Sequence, residues 1–401
     1  MNVIFLAGLF PDCLRKEIEL NSKGVVQYAA DALQWSFVKG LDYFYKMKII
    51  NLPYIGSWPI FYKKIYLRSG VFQHTSGAYD INIGFVNLPI LKHYFRYRNA
   101  KKELINRGAK KQKVKIVFVY AIHSPFIKAA VRLKNISPDV KLCLIVPDLP
   151  NYMSDINTPV HKMLKYMDSM IINKALPKID YFVLLSDRMA EFLHVEDKPW
   201  VRVEGIFNPS DDNSYPPPKE KMKTVLYSGT LDARYGIMNL LSAFHEIKND
   251  DYRLWICGDG ECRIHVENQA KRDNRINYWG LLPRKKVLLL QKQATVLVNP
   301  RTSEGDYTKY SFPSKIMEYL ASGTPCIMHP LPGIPEEYYK YCFLARQQNA
   351  AGLKDMILGV CNKSQVELND VGHKAASFIR EFKNPKVQIQ KVYNMINADM
   401  A

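Results

Sequence analysis

Residues Ser303 to Pro325 read SEGDYTKYSFPSKIMEYLASGTP. The stretch predicts a loop, a helix and a turn into a strand. Pro313 suits the first helical turn, where its missing N–H costs nothing. Ile316, Met317, Tyr319 and Leu320 recur at helical spacing and give the helix an apolar face. Gly323 stops it, and Pro325 bars its continuation into the strand Cys326-Ile327-Met328. Free N–H groups and the positive dipole end collect at a helix start, so Ser314 and Lys315 stand where an anion is held. Glu318 lies one turn further on, on the face of Ser314. A phosphate at the helix start would leave Glu318 within reach of a neighbouring sugar hydroxyl pair. The same segment also reads as an ordinary capped surface helix with one solvated Glu, so its neighbours decide.

At 401 residues the chain is long for one core, and two domains are expected. With 47% apolar and 23% charged residues it is globular in composition. Its net charge of +18 calls for a polyanionic partner: nucleic acid, an anionic membrane or a phosphorylated substrate. The seven cysteines include no Cys-x-x-Cys pair and no Cys/His ligand spacing. That points to reduced thiols in the cytoplasm and no structural zinc. The opening MNVIFLAGLFPDCLRKE lacks a basic leader and breaks at Pro11, so it is expected to form a first buried strand rather than a signal peptide. No run approaches the roughly 18 apolar residues of a transmembrane helix.

Strand-like runs alternate with helix-like runs through the first half. Val3–Ala7, Lys48–Asn51, Ile81–Val86, Val114–Ala121, Lys141–Val146 and Tyr181–Leu185 read as strands. Gly24–Lys39 (with Gly40 as its stop), Pro89–Arg107, Pro125–Leu133 and Pro159–Ala175 read as helices. Such alternation predicts a parallel sheet with helices on both faces, with ligands at the carboxyl ends of the strands. Gly8, His123, Asp148 and Ser186-Asp187 fall there. Each also has a plainer reading: His123 as a structural histidine, Asp148 as a turn residue, Ser186-Asp187 as a helix cap. Residues 43–115 interleave aromatics (Tyr43, Phe44, Tyr45, Tyr54, Trp58, Phe61, Tyr62, Tyr66) with a dense run of cations. That mixture suits an anionic membrane interface, single-stranded nucleic acid, or a solvated basic face over core aromatics. No nucleic-acid-binding module is recognisable.

Asn208 to Lys219, with three consecutive prolines, reads as an interdomain linker. Beyond it the alternation restarts with strands Thr224–Tyr227, Arg253–Cys257, Arg275–Trp279 and Thr295–Val298. Helices are expected at Ile237–Ile247 and Arg284–Gln291, and a last one at Val387–Met400. Gly229, Gly258 and Gly280 follow strands, where glycine lets the backbone approach a ligand. Gly258-Asp259-Gly260 lacks the third glycine of a dinucleotide site. No phosphate-binding Gly-x-x-x-x-Gly-Lys loop and no Asp-x-Asp pair for a metal-bridged diphosphate occurs.

Taken together, Tyr227-Ser228-Gly229-Thr230-Leu231, Cys257-Gly258-Asp259-Gly260-Glu261, Tyr278-Trp279-Gly280-Leu281-Leu282 and Tyr310 through Glu318 resemble the retaining glycosyltransferases of family four. The resemblance implies an α/β chain of the GT-B fold, two facing Rossmann-like doubly wound domains with parallel sheets. Residues 1–210 would form the acceptor domain and 211–382 the nucleotide-sugar domain, with a helix in 383–401 packing back on the first. It makes Glu318 the ribose acceptor and gives the diphosphate to Ser314 and Lys315. Gly8, Gly229, Thr230, Gly258 and Leu281 would complete the donor side. Tyr310 stands where the family has its first Glu, and Glu304 or Asp306 would replace it. Thr230 and Tyr235 stand where the family has an Arg and a Lys, which leaves Arg234 and Lys315 to stabilise the leaving diphosphate. His123 matches the histidine near the transferred sugar, and Asp148 lies on the acceptor side.

The implied activity is retaining, metal-independent transfer from a UDP- or GDP-sugar, with no cofactor. The acceptor would be a saccharide or a polyprenyl-diphosphate-linked one in surface polysaccharide assembly. The enzyme would be cytoplasmic, peripheral on the inner face of an anionic membrane, without a nucleic-acid partner. A nucleotide-sugar epimerase of the same fold, or a basic nucleic-acid-binding protein, are the competing readings.

Overall fold

Short apolar runs closed by glycine or proline build two sheets, each covered by amphipathic helices. The computed structural model describes residues 2–24, 26–107, 114–149, 159–209 and 217–400. The chain divides into two compact units, Met1–Ile206 with Pro385–Ala401, and Phe207–Asn384. Residues 210–216 of the expected linker lie outside the described residues.

The first unit contains strands β1 (Asn2–Ala7), β2 (Lys46–Asn51), β3 (Tyr66–Leu67), β4 (Gly70–Phe72), β5 (Asp80–Asn82), β6 (Phe85–Val86), β7 (Val114–Tyr120), β8 (Lys141–Val146), β9 (Tyr181–Leu184) and β10 (Trp200–Arg202). Eight of them form a sheet in the order β10-β9-β8-β7-β1-β2-β5-β4. The four strands β1, β2, β7 and β8 are parallel, and their apolar residues are buried. Such double-faced burial marks a sheet covered on both sides. At the edge β4 runs antiparallel to β5, so the sheet is not wholly parallel. The expected strand Ile81–Val86 is also two: β5 joins this sheet, and β6 pairs with β3 in a separate antiparallel ladder.

The helices of this unit are α1 (Asp12–Asn21), α2 (Tyr28–Leu41), α3 (Leu91–Ile105), α4 (Ser124–Ile136), α5 (Pro159–Ala175) and α6 (Arg188–Leu193). The predicted helix Gly24–Lys39 starts only at Tyr28 and runs through Gly40 rather than stopping there. Gly40 is instead a crossing point. A Cβ at this position would lie 2.2 Å from Ile389 Cγ1.

The second unit holds β11 (Lys223–Ser228), β12 (Tyr252–Cys257), β13 (Ile276–Gly280), β14 (Val296–Asn299), β15 (Cys326–Met328) and β16 (Phe343–Leu344), all parallel, in the order β13-β12-β11-β14-β15-β16. The central position of β11 and β14 is that of a doubly wound sheet. Around it lie α7 (Ile237–His245), α8 (Arg263–Arg272), α9 (Arg284–Gln293), α10 (Ser314–Ala321), α11 (Ala350–Cys361) and α12 (Gln365–Phe382). A Ser364–Glu367 capping box starts α12. Its end before Asn384-Pro385 hands the chain back to the first unit, where α13 (Pro385–Met400) buries Ile389, Val392 and Ile396 among Phe37, Val38 and Phe118. Among the described residues no helix is long and apolar enough to cross a membrane.

Candidate active site

The strongest constellation of the second unit centres on α10. Pro313 is the residue before the helix rather than its first turn, and the helix starts at Ser314, which is exposed. Ile316, Met317, Tyr319 and Leu320 are buried beneath it. Tyr319 fixes the helix to the end of β11: its hydroxyl donates to the Ser228 carbonyl at 3.0 Å and accepts from the Ser228 N–H at 2.8 Å. Glu318 thereby faces α9. Its Oε1 accepts from Gln291 Nε2 at 2.8 Å and from Lys315 Nζ at 2.9 Å, and Arg284 Nε lies 3.6 Å from its Oε2. Burial alone would raise this carboxyl. The charge of Lys315, the bonds from Gln291 and Lys315 and the charge of Arg284 outweigh it and hold Glu318 below the ordinary carboxylate range. Glu318 is thus an ionised acceptor with its orientation fixed. Lys315 and Glu318 pair with each other.

The loops after β11, β12 and β13 stack against one another. The Gly229 N–H donates to the Cys257 carbonyl and the Gly258 N–H to the Gly280 carbonyl, both at 2.9 Å. Gly258 has φ +140°, and a Cβ there would lie 1.8 Å from the Gly229 carbonyl oxygen. No other residue fits without moving a loop. Thr230 is exposed, and its carbonyl accepts from the Tyr227 hydroxyl at 2.7 Å. Leu281, after these loops, is 81% exposed. Arg234 is paired with Asp232 at 2.7 Å. The Tyr307 hydroxyl donates to the Arg234 carbonyl at 3.0 Å, tying the loop before α10 to this one. In that loop Glu304 is exposed, Asp306 pairs with Lys309 at 2.8 Å, and Tyr310 is half-buried. Glu318, Lys315 and Ser314 therefore gather on one helix, and the glycine loops gather beside the sheet.

Two cations of this unit carry no local sequence signal. Arg284 and the buried Arg301 come from α9 and from the turn after β14. Arg301 lies under the Tyr307 ring at 4.7 Å and donates to Ser311 Oγ at 2.9 Å, and burial lowers its pKa.

In the first unit Gly8 follows β1, but its N–H is already taken by Gln34 Oε1 at 2.8 Å. Asn51 and Asp31 likewise accept the next two N–H groups, those of Leu9 and Phe10, at 2.7 Å each. A Cβ on Gly8 would lie 2.4 Å from the Tyr54 ring, so this glycine makes room for Tyr54. His123 precedes α4 and is half-buried. Arg96 Nη1 stands 3.2 Å from its Nε2. A guanidinium can only donate, so His123 accepts at Nε2 and carries its proton on Nδ1. Burial and the charges of Arg96, His93 and Lys92 drive His123 well below 6.5, so its ring is neutral. Asp148 follows β8 on the surface, and crowding around its carboxyl pushes it up to about 6. Ser186 is buried, and Asp187 pairs with Arg202 at 2.5 Å rather than capping α6 with its side chain. Among the described residues no group of three or more His, Cys, Asp or Glu side chains is placed to hold a metal ion.

Residues 222–363 match the family model for glycosyl transferases group 1. No curated protein sequence matches the chain. Solved structures match it over nearly its whole length. Sucrose-phosphate synthase from Thermosynechococcus elongatus is 14% identical, with all of both chains covered and a TM-score of 0.63. The lipopolysaccharide outer core galactosyltransferase WaaB is 12% identical, again over all of both chains, with a TM-score of 0.64. Anabaena Alr3699/HepE, solved in complex with UDP, is 11% identical over 99% of this chain and 100% of its own, with a TM-score of 0.63. At these identities the likeness carries the fold. The chain has the GT-B fold, and its second unit bears the match to the group 1 glycosyl transferases.

Proposed function

We propose that the protein is a retaining glycosyltransferase that uses a nucleotide-diphosphate sugar, of the UDP or GDP class, as donor. The observation that carries this is the α10 arrangement: an ionised, oriented Glu318 one turn from a helix start, with Lys315 and Arg284 beside it. Glu318 takes the ribose hydroxyls. The helix start at Ser314, Lys315 and Arg234 stabilise the charge that builds on the diphosphate as the sugar C1–O bond breaks. The acceptor oxygen bonds to C1 on the same face, and its proton passes to the departing phosphate oxygen. No protein base is then required, in contrast to a glycosidase pair of carboxylates. His123, held neutral by burial and by Arg96, donates from Nδ1 to a hydroxyl of the transferred sugar. Asp148 lies on the acceptor side. The charge of the diphosphate is met by side chains and backbone, so turnover needs no divalent metal. UDP, bound in the Anabaena structure, supports the choice of donor.

The acceptor is a saccharide, free or linked to a lipid diphosphate, of surface polysaccharide assembly, and the enzyme works peripherally on an anionic membrane. Two exposed apolar features of the first unit support this. Ile60 and Phe61 project beside Lys63 and Lys64. On α5, Met163, Tyr166, Met167 and Met170 fall at i, i+3, i+4 and i+7 and are 41–66% exposed, with Lys162 and Lys174 at the ends.

The deciding experiment is a thermal-shift panel of UDP-, GDP-, ADP- and CMP-sugars with and without EDTA. A ligand at 100 times its Kd stabilises by about 2.7 kcal/mol. A UDP- or GDP-sugar is expected to raise Tm, and turnover to survive the chelator. A panel with no shift overturns the donor reading, and turnover that EDTA abolishes and magnesium restores overturns the charge assignment.

A further inference from the structure

Lys92 and Arg96 of α3 meet two histidines, His93 of the same helix and His123, beyond the end of β7. Lys92, His93 and Arg96 share one face of α3, at i, i+1 and i+4. The His93 and His123 ring centroids lie 5.5 Å apart, and Arg96 Nη1 is 3.2 Å from His123 Nε2. Arg96 is 2% exposed. Its guanidinium donates to the Pro53 carbonyl and lies over the rings of Phe85 at 4.6 Å and Tyr54 at 5.4 Å. Its Nε has no hydrogen-bond partner among the described residues. Lys92 donates to the Ile55 carbonyl at 3.1 Å. Among the described residues none of the four forms an ion pair. The carboxylate that bears on His93 is Asp168, and it already accepts from Ser124 Oγ.

This packing is unfavourable as it stands. Burial, then the charge of Arg96, drives Lys92 down to about 7, and burial with its cationic neighbours lowers His93. Backbone strain accompanies it. Ile90 (φ 63°) and Ala121 (φ 68°), two non-glycine residues in the left-handed region, stand two residues before Lys92 and His123. Basic groups gathered without a counter-charge, with their protonation suppressed, are a feature of sites whose ligand supplies that charge. His93 is exposed while Lys92 and His123 are half-buried, so the cluster is open on one side. Among the described residues two ammonium protons of Lys92 and a ring N–H of His93 have no hydrogen-bond acceptor. That set suits several oxygens carrying more than one negative charge, which a single carboxylate does not provide.

We propose that the Lys92–His93–Arg96–His123 cluster binds the phosphate or diphosphate group of the acceptor. The inference rests on the reading of the chain as a glycosyltransferase with its acceptor in the first unit, and it names that acceptor as phosphate-bearing. Lys92 and His93 contact the anion, and Arg96 is a positioning residue behind His123.

The test uses the full chain saturated with UDP, so that the α10 side is filled. Inorganic pyrophosphate and geranyl diphosphate are titrated by calorimetry, while the His93 ring resonance is followed by NMR against pH. Pyrophosphate is expected to bind and to move the His93 titration upward by at least about one pH unit, because an anion favours the imidazolium. The double variant Lys92→Gln/His93→Gln is expected to lose at least about tenfold in pyrophosphate affinity while keeping its UDP affinity. His93→Gln alone serves if the double variant melts early. Tighter binding of geranyl diphosphate supports a lipid-linked acceptor, and equal binding of the two supports a soluble phosphorylated one. Absence of pyrophosphate binding to the wild type, or equal binding to the variant, overturns the proposal. Loss of UDP binding by the wild type counts instead against the donor reading, and the His93 resonance reports the cluster in either case.

Discussion

Glu318 is the carboxylate on which the proposed donor site of the second unit turns. Its three neighbours come from two helices: Gln291 and Lys315 donate to it, and Arg284 lies 3.6 Å away as an ion-pair partner. A hydrogen bond to a charged group contributes roughly 1.5–3 kcal/mol. Glu318→Ala is therefore expected to weaken UDP-sugar binding by at least about tenfold in calorimetry, with an unchanged far-UV spectrum. Unchanged affinity in the folded variant would remove Glu318 from the donor site. The trio Ser314, Lys315 and Glu318 was legible because helical spacing alone sets their relation. Gln291 and Arg284 were not, since they reach Glu318 only through the packing of α9 on α10. Arg96 was hidden in another way: it stands in a run of surface-like cations and nothing local tells that it is buried. Only its meeting with His123, 27 positions away, gives it a role. Gly8 shows the reverse. A glycine after a strand reads as a ligand approach, but here Gln34 takes its N–H and Tyr54 fills its missing side chain.

Strands β11 to β15 of the second unit were readable as elements because they are short runs bounded by turn residues, whereas the two-residue β16 was not read. Helix α1 was not. Its sequence DCLRKEIELN buries Ile18 alone, so no apolar stripe announces it. Strands β3 to β6 are two or three residues each, so β3 and β4 were not read and β5 and β6 read as one strand. They hold together through side chains from elsewhere. His74, in the loop between β4 and β5, donates to Asp80 at 2.6 Å and lies 3.1 Å from Asp42, the residue after α2. Asp80 also accepts from the Ile49 N–H of β2 at 2.8 Å. Burial would lower this histidine, but the bonds and charges of Asp42 and Asp80 outweigh it and push it up to about 9. A raised pKa stabilises the fold fully below the unfolded value near 6.5, and the contribution is lost as pH rises through about 9. Urea unfolding of the wild type between pH 6.5 and 9.5 is expected to show a loss of roughly 3 kcal/mol beyond that of His74→Gln. Parallel pH profiles of the two proteins would show that the clamp does not hold the edge strands.

At the scale of the molecule, the +18 charge was plain from composition, but its distribution was not. The aromatic and basic stretch 43–115 is split by the fold. Tyr45 and Tyr62 are buried, Lys64 pairs with Glu17 at 2.7 Å, and Lys92 and Arg96 turn inward. Lys110 and Lys111 lie outside the described residues. The exposed stripe of α5, beyond that stretch, has the spacing of an interfacial helix. The protein is expected to sediment with phosphatidylglycerol vesicles at 0.1 M salt and to be released at 1 M, where the screening length falls to about 3 Å. Each exposed Lys near an anionic surface contributes about 1 kcal/mol. Reversal of Lys101, Lys102, Lys110 and Lys111 to Glu, or Met163→Ser with Tyr166→Ser and Met167→Ser, is expected to abolish attachment without changing UDP affinity. Equal sedimentation with neutral and anionic vesicles would make the charge a solvated face. The return of α13 to the first unit bears on how the chain is made. Ile389 closes over Gly40, and Gln388 bonds the Gly205 carbonyl at 3.1 Å, yet the whole of the second unit is synthesised between these partners. At about 5–20 residues per second the first unit waits on the order of ten seconds or more for its last helix. During that wait the apolar residues that later bury Ile389, Val392 and Ile396 lack their cover, and such surface is aggregation-prone until the helix arrives.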